Sequence, residues 1–143
     1  MAKSLSAFFA QNAKKIDNQF ITASPRFIGE DGKPMQWEIC CITADENAQL
    51  RKACMRNVPV HGKRGQYTQE FDASAYQAKI AARCTVFPNL NDAELQSSYG
   101  VMDAEKLIAT MLTAGEFEDY SAKILELNGF SAADELVDEA KNS

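Results

Sequence analysis

The sequence predicts an α+β fold, in which a small antiparallel β-hairpin or sheet packs against five or six mostly short α-helices. Residues 35–42 have the two-residue period of a half-buried strand. Beyond residue 43, capping residues and glycine or proline stops divide the chain into short amphipathic segments, which makes the C-terminal half helix-rich. The chain has 143 residues, of which 45% are hydrophobic, so we expect residues 1–143 to form a single domain.

The first quarter of the chain predicts an amphipathic helix and then the hairpin. Apolar residues at helical spacing are Leu5, Phe8, Phe9, Ala13 and Ile16. We expect this helix to end before Asn18 and residues 20–28 to be extended. Residues 29–34 (GEDGKP) predict the turn, and Trp37 lies on the apolar side of the strand that follows, where its ring should join the core.

Capping signals predict the helices of the central segment. Thr43 and Glu46 form a capping-box pattern, which predicts a helix from residue 44 to about residue 57, ended by Pro59. We expect residues 58–67 to be an irregular connection. Asp72 then caps a helix that runs through residue 87 and stops at Pro88.

The last third predicts four further helices separated by glycines. Asn91 is expected to cap the first, over residues 92–99, and Asp103 to open the second, through residue 112. The third carries an apolar stripe over residues 117–127 and ends at Gly129. Residues 131–141 predict a final acidic helix.

Charge is unevenly distributed along the chain, whose net charge is −5. Residues 1–64 hold ten Lys/Arg and six Asp/Glu, a net +4, whereas residues 65–143 hold five and fourteen, a net −9. This asymmetry has two interpretations. Either the uneven charge orients a charged partner as it approaches, or the charged residues form a solvated surface that orients no partner. We expect neither a nucleic-acid partner nor a membrane partner, because the net charge is negative and no apolar run reaches the roughly 18 residues of a membrane span.

Residues that carry chemistry are few. The cysteines Cys40, Cys41, Cys54 and Cys84 lack CxxC spacing, so we expect reduced, mostly buried thiols, no metal site and no cofactor. His61 is the only histidine, and we therefore expect no catalytic residues. The GKRG sequence at 62–65 lacks the order of a phosphate-binding loop. Two alternatives remain open for the basic 58–67 loop: a nucleotide or phosphorylated-ligand site and a small nucleic-acid-binding module.

Ten short blocks occur along the chain: SLSAF at 4–8, DGKP at 31–34, WE at 37–38, LRKAC at 50–54, VPV at 58–60, GKRGQY at 62–67, PNLNDAELQ at 88–96, SYGVM at 98–102, NGF at 128–130 and ELV at 135–137. In this order they resemble the XkdN-like tail assembly chaperones of tailed phages and phage-like prophage elements. Together they span almost the whole chain.

The resemblance implies a non-enzymatic assembly factor in the cytoplasm of a bacterial host. Such a factor binds the tape measure protein while the tail tube is built and is absent from the finished virion. The tail tube protein and self-association are further expected contacts. A small domain with an apolar groove shields an exposed helix reversibly, which suits this role.

We expect the partner to contact the 58–67 loop and the adjoining helix ends. The expected contact residues are Val58, Val60, His61, Lys63, Arg64 and Tyr67, which combine apolar side chains with a basic pair. Two other interpretations stay open. In the first, the 58–67 loop only connects two elements and binds no partner. In the second, the acidic segment 131–141 makes the contact with the partner.

Overall fold

The computed structural model describes residues 4–130 and confirms the predicted α+β architecture. Its strands are β1 (Gln19–Ile21), β2 (Trp37–Ile39), β3 (Met55–Pro59), β4 (Tyr67–Phe71) and β5 (Thr85–Phe87). Its α-helices are α1 (Ala44–Ala53), α2 (Ala73–Cys84), α3 (Ala93–Ser98), α4 (Ala104–Met111) and α5 (Ala114–Leu127). The acidic helix predicted at 131–141 lies outside the described residues.

The predicted hairpin of β1 and β2 is present and gains a third strand. Both β1 and β5 pair antiparallel with β2, which gives the order β1–β2–β5. The turn falls in the predicted segment, where the Gly29 N–H donates to the Lys33 carbonyl at 2.9 Å and Gly32 has a φ of +77°. A side chain at Gly32 would strain that backbone, so the sequence uses glycine.

The core lies between β2 and the helices α2, α4 and α5. Trp37 is 1% exposed, which confirms its predicted burial, and its ring meets Tyr120 edge-on at 5.2 Å between centroids. Phe27 packs on Trp37 at 6.0 Å. The other largest apolar side chains that are fully buried are Ile39, Ile80, Leu107, Ile108 and Ile124.

The N-terminal helix prediction is wrong. Only one turn of 3-10 helix forms, at Ser6–Phe8, and the side chain of Phe8 is 81% exposed. Leu5, Phe9 and Ile16 are exposed as well. Apolar spacing stabilises a short helix mainly through burial of its apolar face, and here the side chains of that face stay exposed.

The irregular connection predicted at 58–67 is shorter in the structure and spans only residues 60–66, because β3 and β4 pair antiparallel from Met55–Phe71 to Pro59–Tyr67. The preceding helix stops at Ala53 rather than near residue 57. The Cys54 carbonyl accepts a hydrogen bond from the Asp72 N–H at 2.8 Å. This bond begins the ladder between β3 and β4, so the residues after Cys54 continue as a strand rather than as a helix. Likewise α2 ends at Cys84, since residues 85–87 pair with β2.

The helix caps follow the sequence with one exception. Thr43, Asp72 and Asp103 accept the expected hydrogen bonds from N–H groups of the first turn. The cap of α3 is Asp92 rather than Asn91, since its carboxylate accepts from the Leu95 N–H at 2.9 Å. α5 begins earlier than its apolar stripe suggests, at a capping box between Thr113 and Glu116.

Candidate functional site

A two-stranded arm projects from the N-terminal end of α2. We call residues 55–71 the hairpin arm: β3, a double turn and β4. Its first turn is closed by a 3.2 Å hydrogen bond from the Lys63 N–H to the Val60 carbonyl. Its second runs from residue 63 to residue 66, and the third residues of the two turns, Gly62 and Gly65, have φ of +77°. Positive φ at the third position suits glycine, so the sequence of the loop specifies this compact tip.

All six predicted contact residues lie in the outer half of the arm, but on different faces. Val58 and Val60 are half-buried and alternate onto one face, which they share with Thr68, the partner of Val58. Tyr67 lies opposite Pro59 on the other face and is 66% exposed.

The remaining three predicted contacts, His61, Lys63 and Arg64, lie in the exposed double turn. Neither Lys63 nor Arg64 forms an ion pair with any residue between 4 and 130. The structure therefore brings the six residues to one arm, with a basic tip, rather than to one continuous patch.

The base of the arm is fixed to the body by aromatic and ionic contacts. Phe71 packs on Tyr76 of α2 with ring centroids 5.7 Å apart. The guanidinium of Arg51 lies 4.5 Å from the Phe71 ring and 5.5 Å from the Tyr76 ring, within cation–π range. Beyond Phe71, every residue of the arm is exposed except Val58 and Val60, which are half-buried.

An exposed apolar face at the other end of α2 was not predicted from the sequence. Phe20, Glu38 and Phe87 are cross-strand partners, so they share the outer face of the three-stranded sheet. Both phenylalanines are exposed, and the Glu38 carboxylate accepts a hydrogen bond from the Asn18 amide at 2.8 Å. The alternation around Trp37 was the available signal, because it places Glu38 on the face away from the core.

A shallow cavity of about 250 Å³ lies between α1, α2 and α4. Its two cations are already paired: Lys79 binds Glu105 at 3.0 Å, and Arg83 binds Glu46 at 2.6 Å. Hydrogen bonding and charge from Glu105 raise the pKa of Lys79, so the amine stays protonated. Both cationic side chains of this cavity are therefore held in salt bridges, and neither is available as a catalytic acid or base.

The thiols are suited to packing rather than to nucleophilic chemistry. All four cysteines are free; Cys54 and Cys84 are buried, whereas Cys40 and Cys41 are half-buried. Burial raises the pKa of the Cys84 thiol to about 12 and also raises the pKa of Cys54, which disfavours the thiolate. Within the described part of the chain, no group of three or more His, Cys, Asp or Glu side chains is placed to hold a metal ion. None of its helices is long and apolar enough to cross a membrane.

A small α+β core with an exposed β-arm and an exposed apolar sheet face has the features of a binding module. Comparison with known proteins assigns it more closely, since residues 5–141 match the model of the phage XkdN-like tail assembly chaperone proteins. This chain belongs to that family, as its resemblance predicted.

Two relatives from Bacillus subtilis strain 168 match nearly the whole chain. The uncharacterized protein YqbN is 28% identical and the phage-like element PBSX protein XkdN is 25% identical; each alignment covers 96% of this chain and 93% of the relative. The crystal structure of YqbN has the same fold, with a TM-score of 0.76 and 24% identity over 92% of this chain and all of that one.

Proposed function

We propose that this tail assembly chaperone binds the tape measure protein transiently while the tail tube is built around it. It acts in the cytoplasm of the bacterial host, catalyses no reaction and leaves before the virion is complete. The observation that carries the proposal is the family match over residues 5–141, and the exposed hairpin arm supplies a surface for the partner. The tail tube protein is a second expected contact, made when it replaces the chaperone.

The physical argument begins with the partner. A long tape measure helix exposes apolar stripes until tube subunits cover them, so it needs a reversible cover. Basic side chains at the arm tip favour encounter with acidic stretches of such a helix, because rim charges mainly set association rate and orientation. Apolar residues beside them, Val58, Val60 and Tyr67, supply contact area once the complex forms.

Charge reversal at the tip tests this contact. Lys63→Glu combined with Arg64→Glu should leave the free energy of unfolding within about 0.5 kcal/mol, since both side chains are exposed. The double variant should weaken co-purification of the tape measure protein encoded by the same phage or prophage. A matched control is Lys14→Glu with Lys15→Glu, which makes the same charge change at another exposed adjacent pair.

The outcomes separate the alternatives. Weaker capture by the arm variant alone supports the contact, whereas an equal loss in both variants assigns the effect to net charge. Unchanged capture by a folded arm variant would move the contact to the acidic residues 131–141. Salt-sensitive gel shift of DNA or RNA by the wild type, abolished by the arm variant, would replace this proposal with a nucleic-acid-binding function.

A further inference from the structure

The outer edge of β4 carries backbone hydrogen-bonding groups that no described strand uses. Hydrogen-bonded and non-hydrogen-bonded pairs alternate along an antiparallel ladder. The Val60 N–H donates to the Gln66 carbonyl at 3.0 Å, and the Asp72 N–H donates to the Cys54 carbonyl at 2.8 Å, which fixes the alternation at both ends of the arm. The N–H and C=O groups of residues 67, 69 and 71 therefore point away from β3.

The two edges of the arm are not equivalent. On β3, the outward positions include Pro59, which has no N–H to donate, so this edge resists the addition of another strand. On β4, the outward positions Tyr67 and Gln69 both keep their N–H groups. A lone two-stranded hairpin is marginally stable in water, and pairing at the open edge would complete it.

We propose that two copies of this chain pair antiparallel along β4 and form a four-stranded sheet with a two-fold axis at Gln69. This pairing goes beyond the function proposed above and does not depend on it. In this register, Gln69 lies opposite Gln69 of the second copy, and Tyr67 lies opposite Phe71. All three are outward positions, so the two strands exchange roughly six backbone hydrogen bonds.

The side chains of β4 are self-complementary in this register. Tyr67, exposed in one copy, comes to lie beside Phe71 of the second copy and its neighbours Tyr76 and Arg51. Aromatic cross-strand pairs of this kind are favourable in antiparallel sheets. On the other face Thr68 lies opposite Glu70, so no two like charges face each other across the new pair.

Charge along the arm favours the same antiparallel arrangement. The tip carries Lys63 and Arg64, whereas the base carries Glu70 and Asp72. These two carboxylates approach Arg56 only at 3.9 and 3.7 Å. Arg51 and Arg56 also lie at the base, so its charge is mixed. Antiparallel pairing lays the basic tip of one copy beside this mixed base, while parallel pairing would bring the two basic tips together. The charge pattern therefore favours the antiparallel orientation, and the self-complementary side chains of β4 select a second copy as the occupant of the edge.

Sedimentation of the wild type and two proline variants tests the pairing. We expect the wild type to form a dimer of twice the 15.8 kDa chain mass. Gln69→Pro removes an outward N–H and should weaken dimerisation by about thirtyfold or more, since each copy loses one intermolecular hydrogen bond. Asn57→Pro is the matched control, because it removes an outward N–H on the β3 edge and should leave the dimer intact. A wild type that is monomeric at all concentrations, or a folded Gln69→Pro variant that stays dimeric, overturns the proposal.

Cross-linking gives a second test that needs no proline. Opposed residues of a hydrogen-bonded pair have Cα atoms about 5.5 Å apart, a distance that a disulfide spans. With oxidised glutathione, Gln69→Cys should give a covalent dimer that a reducing agent reverses, while Asn57→Cys and the wild type should not. Equal cross-linking of Asn57→Cys, or none by Gln69→Cys, contradicts the pairing and decides the question if the proline variants do not fold.

Discussion

Trp37 lies where the sheet meets α5, and its indole contacts aromatic rings on two sides. Phe27 comes from the segment that leads out of β1, whereas Tyr120 comes from α5. The Tyr120 hydroxyl in turn lies 2.6 Å from the Thr85 hydroxyl at the start of β5, which satisfies a polar group at the edge of the core. Desolvation raises the pKa of Tyr120, so this hydroxyl remains neutral at physiological pH.

Truncation of Trp37 measures how much this junction contributes. We expect Trp37→Ala to lower the free energy of unfolding by about 3 to 5 kcal/mol, because the lost ring leaves a cavity that the neighbours fill only in part. Chemical denaturation of the purified variant gives the value directly. A loss below about 1 kcal/mol would contradict the burial of the indole.

Glu116 makes stability depend on pH. Hydrogen bonds from Arg26, and then from Ser24 and the Thr113 backbone, lower the pKa of this carboxyl from 4.5 to about 2. A carboxyl whose pKa is lowered by folding adds stability above its unfolded value, and that stability is lost as pH falls through the folded value. The contribution of Glu116 is therefore full above about pH 4.5 and disappears toward about pH 2.

Replacement by glutamine isolates this contribution. Glu116→Gln should destabilise the protein near neutral pH, and the gap to wild type should narrow as pH falls below about 4.5. Urea denaturation at several pH values measures the gap. Glu118→Gln on the same helix is the control, and a gap that is constant with pH in Glu116→Gln would rule out the role of the charge.

At the scale of elements, one amide side chain connects the sheet to the end of α5. The Asn128 Oδ1 accepts a hydrogen bond from the Ile42 N–H at 2.8 Å, while its Nδ2 donates to the Ile124 carbonyl at 2.8 Å. The first contact satisfies a backbone group just beyond β2, and the second closes the last turn of the helix. Asn128 therefore fixes the distance between the two elements.

Asn128→Ala should lower the free energy of unfolding by about 1 to 3 kcal/mol, because the Ile42 N–H loses its acceptor. Asn128→Asp keeps an acceptor oxygen but loses the amide donor, so it should recover part of the loss. Thermal denaturation of both variants measures the difference. Equal stability of Asn128→Ala and wild type would show that water replaces the amide at no cost.

Elements with a local signal could be predicted from the sequence, and those that depend on distant pairing could not. Caps at Thr43 and Asp103 depend on a side chain and the next turn, so short-range patterns find them. β5 has only three residues and becomes a strand because β2 lies beside it, a contact far away in sequence. The hairpin arm is intermediate between elements with a local signal and elements that depend on distant pairing. Glycines at 62 and 65 and β-forming residues at 67, 68 and 71 were a readable hairpin signal, but its exposure was not encoded locally.

Across the whole molecule, α2 separates two exposed surfaces of different chemistry. Asp72 at its start ends the hairpin arm, and Thr85 at its end begins β5, whose sheet carries the exposed pair Phe20 and Phe87. Twelve helical residues span about 18 Å, so the basic tip and the apolar face belong to different regions. Their substitutions should therefore act independently, because distant sites without shared contacts have additive effects.

The chain leaves the body at Cys54 and returns at Asp72, where one backbone hydrogen bond of 2.8 Å joins the two residues. The seventeen positions between them begin and end at nearly the same point, so the frame around α1 and α2 does not depend on how far the excursion extends. Closing a longer or shorter loop over the same gap changes chain entropy only slowly with length. A change in the length or sequence of the arm should therefore leave the packing of the core intact, so the surface that the arm presents can change without a change in the fold.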